Sequence, residues 1–170
     1  MLFRSLPTLD EWGALIDLAR LSRAPAKFDE AELDGLNAKT LHAMSYVAAA
    51  PRLRVLGIDR GEAFWLAIRG NLERFADATT WAKIIEGPIA AHADRDHAFL
   101  SEALSLLPAS PWDTDTWGIW TTHVKEKTGR KGKDLFMPLR LALTGLEHGP
   151  ELKLMLPLIG EDEARRRLSA

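Results

Sequence analysis

Apolar residues recur every three or four positions along most of the chain, which is the pattern of helices that bury one face. No stretch alternates apolar and polar residues for long enough to predict a β-strand. In the segment FDEAELDGLN, the periodicity places Leu33 and Leu36 on the inward face. We therefore predict an all-α fold, with helices at residues 8–19, 29–37, 38–50, 51–57, 62–69, 79–87, 94–107, 113–128, 135–144, 151–156 and 161–168.

Several predicted helices carry recognisable start and stop residues. Thr8 and Glu11 form a capping-box pattern at the first helix. Gly129 and Gly145 follow two later periodic segments, and glycine commonly ends a helix because it adopts a left-handed conformation without strain. Pro138 is predicted in the first turn of the helix at 135–144, where its missing amide hydrogen costs little.

A proline-bracketed break, LPASPWD, interrupts the helical pattern between Pro108 and Pro111. Before the break the chain is acidic on balance, and the most basic stretch lies after it. The break predicts two small packed helical subdomains, at residues 1–108 and 109–170.

The composition is that of a globular protein, with 170 residues of which 46% are hydrophobic. There are no cysteines, which excludes disulfides and thiolate chemistry. No apolar run approaches the ~18 residues of a membrane span, and the N-terminus lacks the apolar length of a signal peptide. We therefore expect a cytoplasmic protein without a membrane partner.

Positive charge is concentrated in one segment, although the formal net charge of the chain is −2. Residues 123–140 hold six lysines and arginines against two acidic residues, so this segment carries +4 and the remainder −6. A glycine-bracketed loop holds Arg130, Lys131 and Lys133, and the apolar helix after it holds Arg140. This distribution predicts a surface that faces an anion.

Arg140 offers a planar fork that suits base edges or phosphate, and the following loop, GLEHGPEL, contains glycines that let a backbone approach a ligand closely. The residues alone leave two interpretations open, an RNA- or DNA-contacting surface or a plain solvated one. Arg140 could also pair with Asp134 or Glu147 and stabilise the fold.

Two further features have simpler explanations. The segment HADRDH has histidines five residues apart, a spacing that does not place two imidazoles on one helix face, so we predict no metal site. Trp117 and Trp120 have the spacing of core residues, although an exposed tryptophan could stack on a base.

The segment KEKTGRKGKDLFMPLRLALTGLEHGPELKLMLPLIGEDEARRRL resembles the closing part of bacterial glutamyl-tRNA synthetases, especially those of alphaproteobacterial type. Upstream, LSRAPAKFDEAELDGLNAKTLH resembles the stretch in which that family passes from its catalytic half into its helical half. The resemblance covers residues from about 21 to 168. It implies the anticodon-binding helical cage of a class I synthetase.

The resemblance also implies roles for particular residues. Arg74 and Arg140 lie where the family places arginines that read anticodon bases, and Gly149, Pro150 and Leu152 lie where a Thr-Pro-x-Leu stretch lines the base pocket. Because Gly149 replaces that threonine, only a backbone contact is expected there. We expect the backbone of the RNA to be contacted by Lys127, Arg130, Lys131 and Lys133.

The chain departs from the family in having neither the HIGH-type nor the KMSKS-type catalytic signature. The resemblance thus implies the anticodon-binding region of a glutamate–tRNA ligase, inactive alone, with no catalytic residue and no cofactor of its own. ATP and Mg²⁺ are implied for a catalytic domain in cis, and the expected partner is tRNA(Glu), bound by a monomer. The alternatives are a stand-alone helical protein- or RNA-interaction module, or a small enzyme built around HADRDH.

Overall fold

The computed structural model describes residues 9–15, 30–89 and 95–170. These residues form ten α-helices and no β-strand, which confirms the all-α prediction. Two short 3-10 turns, Arg69–Asn71 and Phe75–Asp77, join α4 to α5. The helices are α1 (Leu9–Leu15), α2 (Glu30–Ala43), α3 (Tyr46–Val55), α4 (Gly61–Ile68), α5 (Ala78–Glu86), α6 (His97–Ser105), α7 (Thr116–Thr128), α8 (Lys133–Thr144), α9 (Leu152–Ile159) and α10 (Glu161–Ser169).

The N-terminal helices differ from the predicted ones. Helix α2 ends before Met44 and Ser45, which are not helical. Ser45 caps α3 by accepting a hydrogen bond from the backbone N–H of Ala48. Pro51, predicted as a helix boundary, lies inside α3. The prediction that Leu33 and Leu36 face inward was wrong, since they are 52% and 47% exposed, whereas Leu41 of α2 is buried.

The C-terminal helices follow the sequence signals more closely. Gly129 and Gly145 end α7 and α8 in left-handed conformations, at φ values of 71° each. Helix α8 begins at Lys133, two residues before the predicted start, so Pro138 is its sixth residue and not in its first turn. The helix tolerates this proline although it lacks one backbone donor.

Some predicted features lie outside the described residues. They are Thr8 of the capping box, Ile16–Ala19 of the first helix, the start of the second helix at Asp29, and the segment from His92 to Asp94. In the described part of the chain, no helix is both long and apolar enough to cross a bilayer.

Buried side chains from both sides of residue 108 form one hydrophobic core. Helix α4 packs on α9, and α6 packs on α8 and α10. The fully buried Trp120 of α7 donates from its indole nitrogen to the carbonyl of Ala103 in α6, over 2.8 Å. The proposed boundary at residues 108 and 109 falls in the connection between α6 and α7, and the division into two subdomains stays a prediction.

A buried arginine joins three helices at the centre of this core. Arg167 of α10 is 1% exposed, and its Nε donates to Glu163 Oε1 over 2.5 Å. Its Nη1 donates to the carbonyl of Leu143 at the end of α8, and its Nη2 to that of Ile84 at the end of α5, the latter over 2.6 Å. Helix C-termini carry partial negative charge on such unpaired carbonyls. One guanidinium therefore satisfies carbonyls at the C-termini of both α5 and α8.

We predict that Arg167→Met will lower the free energy of unfolding by about 3–5 kcal/mol, because it leaves the half-buried Glu163 carboxylate and two helix ends without their buried donor. Urea unfolding followed by circular dichroism measures this. Arg166→Met is the matched control, since Arg166 binds the same Glu163 carboxylate over 2.5 Å but is exposed. Arg166→Met should lower the free energy of unfolding by less than about 1 kcal/mol. Equal losses for the two variants would contradict the structural role assigned to Arg167.

The Glu163 carboxylate makes the stability of the fold depend on pH in the acid range. Hydrogen bonds from Arg166 and Arg167 lower the pKa of Glu163 to about 2 from an ordinary value of 4.5. A lowered pKa stabilises the fold above the unfolded-state value, and this stabilisation is lost as pH falls from about 4.5 towards 2. Glu163→Gln should therefore show a shallower loss of stability over this range in urea unfolding. Glu151→Gln, at an exposed position, should lose stability with falling pH as the unsubstituted chain does. If Glu163→Gln loses stability as steeply as the unsubstituted chain, Glu163 is not the source of this pH dependence.

Candidate nucleic-acid interface

Three adjoining depressions along α7, α8 and the start of α9 form one open groove, called the trough below. Their volumes are about 520, 320 and 140 Å³. Trp117 and Lys153 line the first two, and Phe136 and Arg140 line the second and third. Lys133, the first residue of α8, lies at the far end. The trough thus combines aromatic and cationic side chains with three acidic ones, Asp115, Glu147 and Glu151.

Arg140 is half-buried, and its two terminal nitrogens have different surroundings. Nη2 donates to the carbonyl of Pro150 over 2.9 Å, which ties α8 to the loop before α9. Nη1 is buried and has no hydrogen-bond partner among the described residues. Desolvation by burial lowers the pKa of Arg140 below its ordinary value, but an arginine remains charged at neutral pH. Nη2 of Arg140 therefore has a structural role, whereas Nη1 is a donor without an acceptor among the described residues.

The predicted alternatives for Arg140 do not account for its geometry. In the part of the chain that the structure describes, neither Asp134 nor Glu147 forms a salt bridge with it. Glu147 lines the same end of the trough as Arg140 without pairing to it.

An aromatic wall stands beside Arg140. Phe136 is 44% exposed, and its ring centroid lies 6.2 Å from that of Trp117. Trp117 in turn contacts the fully buried Trp120 edge-on, with centroids 5.6 Å apart. The wall is thus anchored in the core and presents a free aromatic face, the kind of surface on which unstacked bases pack.

Phe136 was not among the site residues predicted from the sequence, although a signal for it exists. Leu135, Leu139 and Leu143 of α8 are buried and form one helical stripe. Phe136 and Arg140 are four residues apart, on a different face from this stripe, and neighbours at that spacing lie side by side. Trp117, predicted to belong to the core, is half-buried: it packs against the core and also lines the trough.

The loop residues predicted to line a base pocket mostly face the protein. Gly149 has a φ of +144°, and a Cβ built there would overlap the ring of Trp81. Pro150 is buried and offers its carbonyl to Arg140, and the side chain of Leu152 is 4% exposed. The structure therefore places Gly149 and Leu152 as packing residues that position the Arg140 acceptor. A threonine at position 149 would not fit this arrangement.

The basic loop contains both engaged and free cations. Arg130 forms a salt bridge of 2.5 Å with Asp96, and its guanidinium lies 4.2 Å from the ring centroid of Phe99. The pKa of Asp96 is lowered, first by a hydrogen bond from the backbone of Phe99 and then by one from Arg130. Arg130 thus closes the loop onto α6.

The lysines of the basic segment are more available than Arg130. Lys127 lies 3.9 Å from Glu102, a long and exposed pair. Lys131 and Lys133 are exposed and form no salt bridge within the described residues. Of the predicted backbone-contacting residues, these two are the freest.

Arg74 lies apart from the other predicted site residues. It is exposed in the turn between α4 and α5, and its backbone N–H donates to Asp77 Oδ2 over 2.8 Å. It does not line the trough. The structure therefore brings Arg140, Lys133, Pro150 and Leu152 together but not Arg74.

The HADRDH segment shows no converging ligand set in its described part. His97 is exposed at the start of α6, and Asp96 is occupied by Phe99 and Arg130. No group of three or more metal-ligating side chains occurs among the described residues.

These features define the class of protein: an all-helical domain whose groove pairs an aromatic wall with arginine and lysine donors. Residues 63–170 match the sequence model of a family described as "Anticodon binding domain". The chain therefore belongs to the anticodon-binding-domain family.

Curated relatives give a consistent result. The chain is 54% identical over 168 residues to glutamate–tRNA ligase 2 of Methylobacterium radiotolerans, covering 98% of this chain and 37% of that protein. It is 54% identical over 161 residues to glutamate–tRNA ligase 1 of Parvibaculum lavamentivorans, covering 95% of this chain and 36% of that protein. The chain thus spans little more than a third of the relatives it matches.

Solved structures share the fold. A glutamate–tRNA synthetase from Elizabethkingia anophelis superposes with a TM-score of 0.76 at 19% identity, over 95% of this chain and 35% of that one. A glutamate tRNA ligase from Elizabethkingia meningosepticum, solved in complex with its amino acid, gives a TM-score of 0.73 at 20% identity, over 90% and 34% of the respective chains.

We predict that Gly149→Ala will destabilise the chain by about 2–4 kcal/mol, because the added methyl group meets Trp81 in a core that cannot open freely. Thermal and urea unfolding measure the loss. Gly129→Ala is the control, since Gly129 also has a positive φ but has open space around it. It should cost only the backbone strain of about 1 kcal/mol, and similar losses at both positions would argue against the contact with Trp81.

Proposed function

We propose that this chain is the anticodon-binding region of a glutamate–tRNA ligase and recognises the anticodon loop of tRNA(Glu). The family match and the names of the relatives support this proposal. The observation that carries it is the unpaired Nη1 of Arg140 beside the exposed ring of Phe136. A desolvated charged donor next to a free aromatic face fits a base that stacks and accepts a hydrogen bond at once.

The proposed recognition has two parts. A base of the loop packs on Phe136. A shift of the surrounding side chains then opens the buried Nη1 of Arg140 to an acceptor on that base edge. The Pro150 carbonyl holds the other arm of Arg140, so the fork is aimed before RNA binds. Pre-alignment of this kind reduces the ordering cost of binding.

Lysines around the trough supply the part of the affinity that does not depend on the base sequence of the RNA. Lys133 and Lys153 border the trough, and Lys131 extends from the loop beside it. Phosphate contacts of this type position an RNA without reading its bases. Arg130 is already bound to Asp96, and Lys153 lies 2.7 Å from Glu151, so both contribute less to this attraction than Lys131 and Lys133.

The chemistry of ligation belongs, in this proposal, to a catalytic domain in cis that binds ATP and Mg²⁺. This chain binds RNA and makes no bond. We also propose that the whole ligase works in the cytoplasm as a monomer. Arg74 remains a proposed contact to the first anticodon base, reached by a part of the loop that extends beyond the trough.

The test compares tRNA(Glu) with a variant altered in its last two anticodon bases. The unsubstituted chain should prefer tRNA(Glu), and Arg140→Lys should lose about 1–3 kcal/mol of that preference, by analogy with bidentate base contacts. Lysine keeps the charge and can still donate to Pro150, but it lacks the second arm of the fork. Fluorescence anisotropy gives the affinities, and melting temperature checks that the fold is retained.

The matched control is Lys131→Gln, which should weaken binding to both RNAs equally and reduce the salt slope by about one unit. A chain that binds tRNA(Glu) no better than other tRNAs would contradict the proposed function. Equal losses for both RNAs with Arg140→Lys would show that Arg140 contacts the RNA backbone only.

A further inference from the structure

A second cavity lies between the start of α6 and the first three turns of α8. Its volume is about 450 Å³, within the range of small-molecule sites. Its apolar lining comes from Leu100 of α6 and from Leu141, Ala142 and their neighbours on α8. Among the described residues, Lys133 and Met137 border both this cavity and the trough.

Charged side chains form the rest of the lining, and most of them are accounted for. Asp96 and Arg130 neutralise each other through their salt bridge. Lys133 and Asp134 are exposed in the first turn of α8. The remaining charged residue, Arg95, has no carboxylate partner among the described residues.

Arg95 is held in place but not satisfied. Its Nη2 donates to the backbone carbonyl of Arg167, which is a neutral acceptor. Its Nε is buried and finds no acceptor within the described part of the chain. A charged group with an unmet buried donor and no carboxylate partner is unfavourable, so an anion held in the cavity against this guanidinium is bound favourably.

We propose that this cavity binds a small organic monoanion with an apolar body and one carboxylate. The carboxylate pairs with the guanidinium of Arg95, which lines the cavity, and Lys133 adds positive charge at the rim. The apolar body packs against Leu100, Leu141 and Ala142. The site adjoins the trough at Lys133 and Met137, but Arg95 and the apolar lining lie outside the trough, so the proposal does not depend on the proposed recognition of tRNA.

The test titrates naphthalene-2-carboxylate into the 170-residue chain, with binding followed by calorimetry. The neutral analogue naphthalene-2-carboxamide has the same apolar body and should bind at least about tenfold more weakly, a difference of about 1.4 kcal/mol. Arg95→Gln should reduce the affinity for the acid to that of the amide, and Arg95→Lys should keep part of the difference. Lys125→Gln, a charge change on an exposed residue that does not line the cavity, should leave the affinity unchanged.

A second variant tests the apolar part without touching the arginine. Leu141→Trp places a larger side chain at a half-buried position of the lining, and it should abolish binding while the melting temperature is retained. The proposal is overturned if the acid does not bind saturably, if acid and amide bind equally, or if Arg95→Gln has no effect. Displacement of the probe by tRNA(Glu) would also overturn it, because the cavity would then belong to the RNA interface.

Discussion

The fold depends on one buried guanidinium. Arg167 is covered by the core and bonds to the final turns of α5 and α8 and to Glu163 on its own helix. A buried charge of this kind is stable only when every donor is matched, so the positions of three helices are coupled to one side chain. Helix α10 adds to this coupling at its start, where Glu161 accepts from Ser110 in the connection between α6 and α7.

This constraint reaches the candidate site through α8. The end of α8 is fixed by Arg167, and its buried leucines pack into the core. The face that carries Phe136 and Arg140 is therefore presented at a set angle to α7 and to the loop before α9. Side chains on a helix that is held at its C-terminal end and packed along one face lose little freedom when a ligand binds, which favours discrimination over adaptability.

The positively charged residues fall into two groups that composition does not separate: arginines that bond within the fold and lysines that stay exposed. Arg130 closes a loop by bonding to Asp96 and covering Phe99, and Arg140 gives one of its arms to the loop carbonyl of Pro150. Lys131 and Lys133 remain exposed on the surface. Arginine takes the structural roles because its planar fork makes several directed bonds at once, whereas lysine stays hydrated as a point charge.

The sequence by itself determined the all-helical class, the glycine ends of α7 and α8, and the basic segment next to Arg140. These are local properties, since helical periodicity, capping and charge density depend on residues within a few positions of each other. The tertiary structure alone decided that Leu33 and Leu36 are exposed, that Gly149 packs on Trp81, and that Phe136 faces the trough. It also decided that one arginine of the run RRRL enters the core while its neighbour Arg166 stays in solvent. Each of these depends on partners far away in sequence, such as the carbonyl of Ile84 for Arg167, and no local pattern specifies which face of a helix such partners will cover.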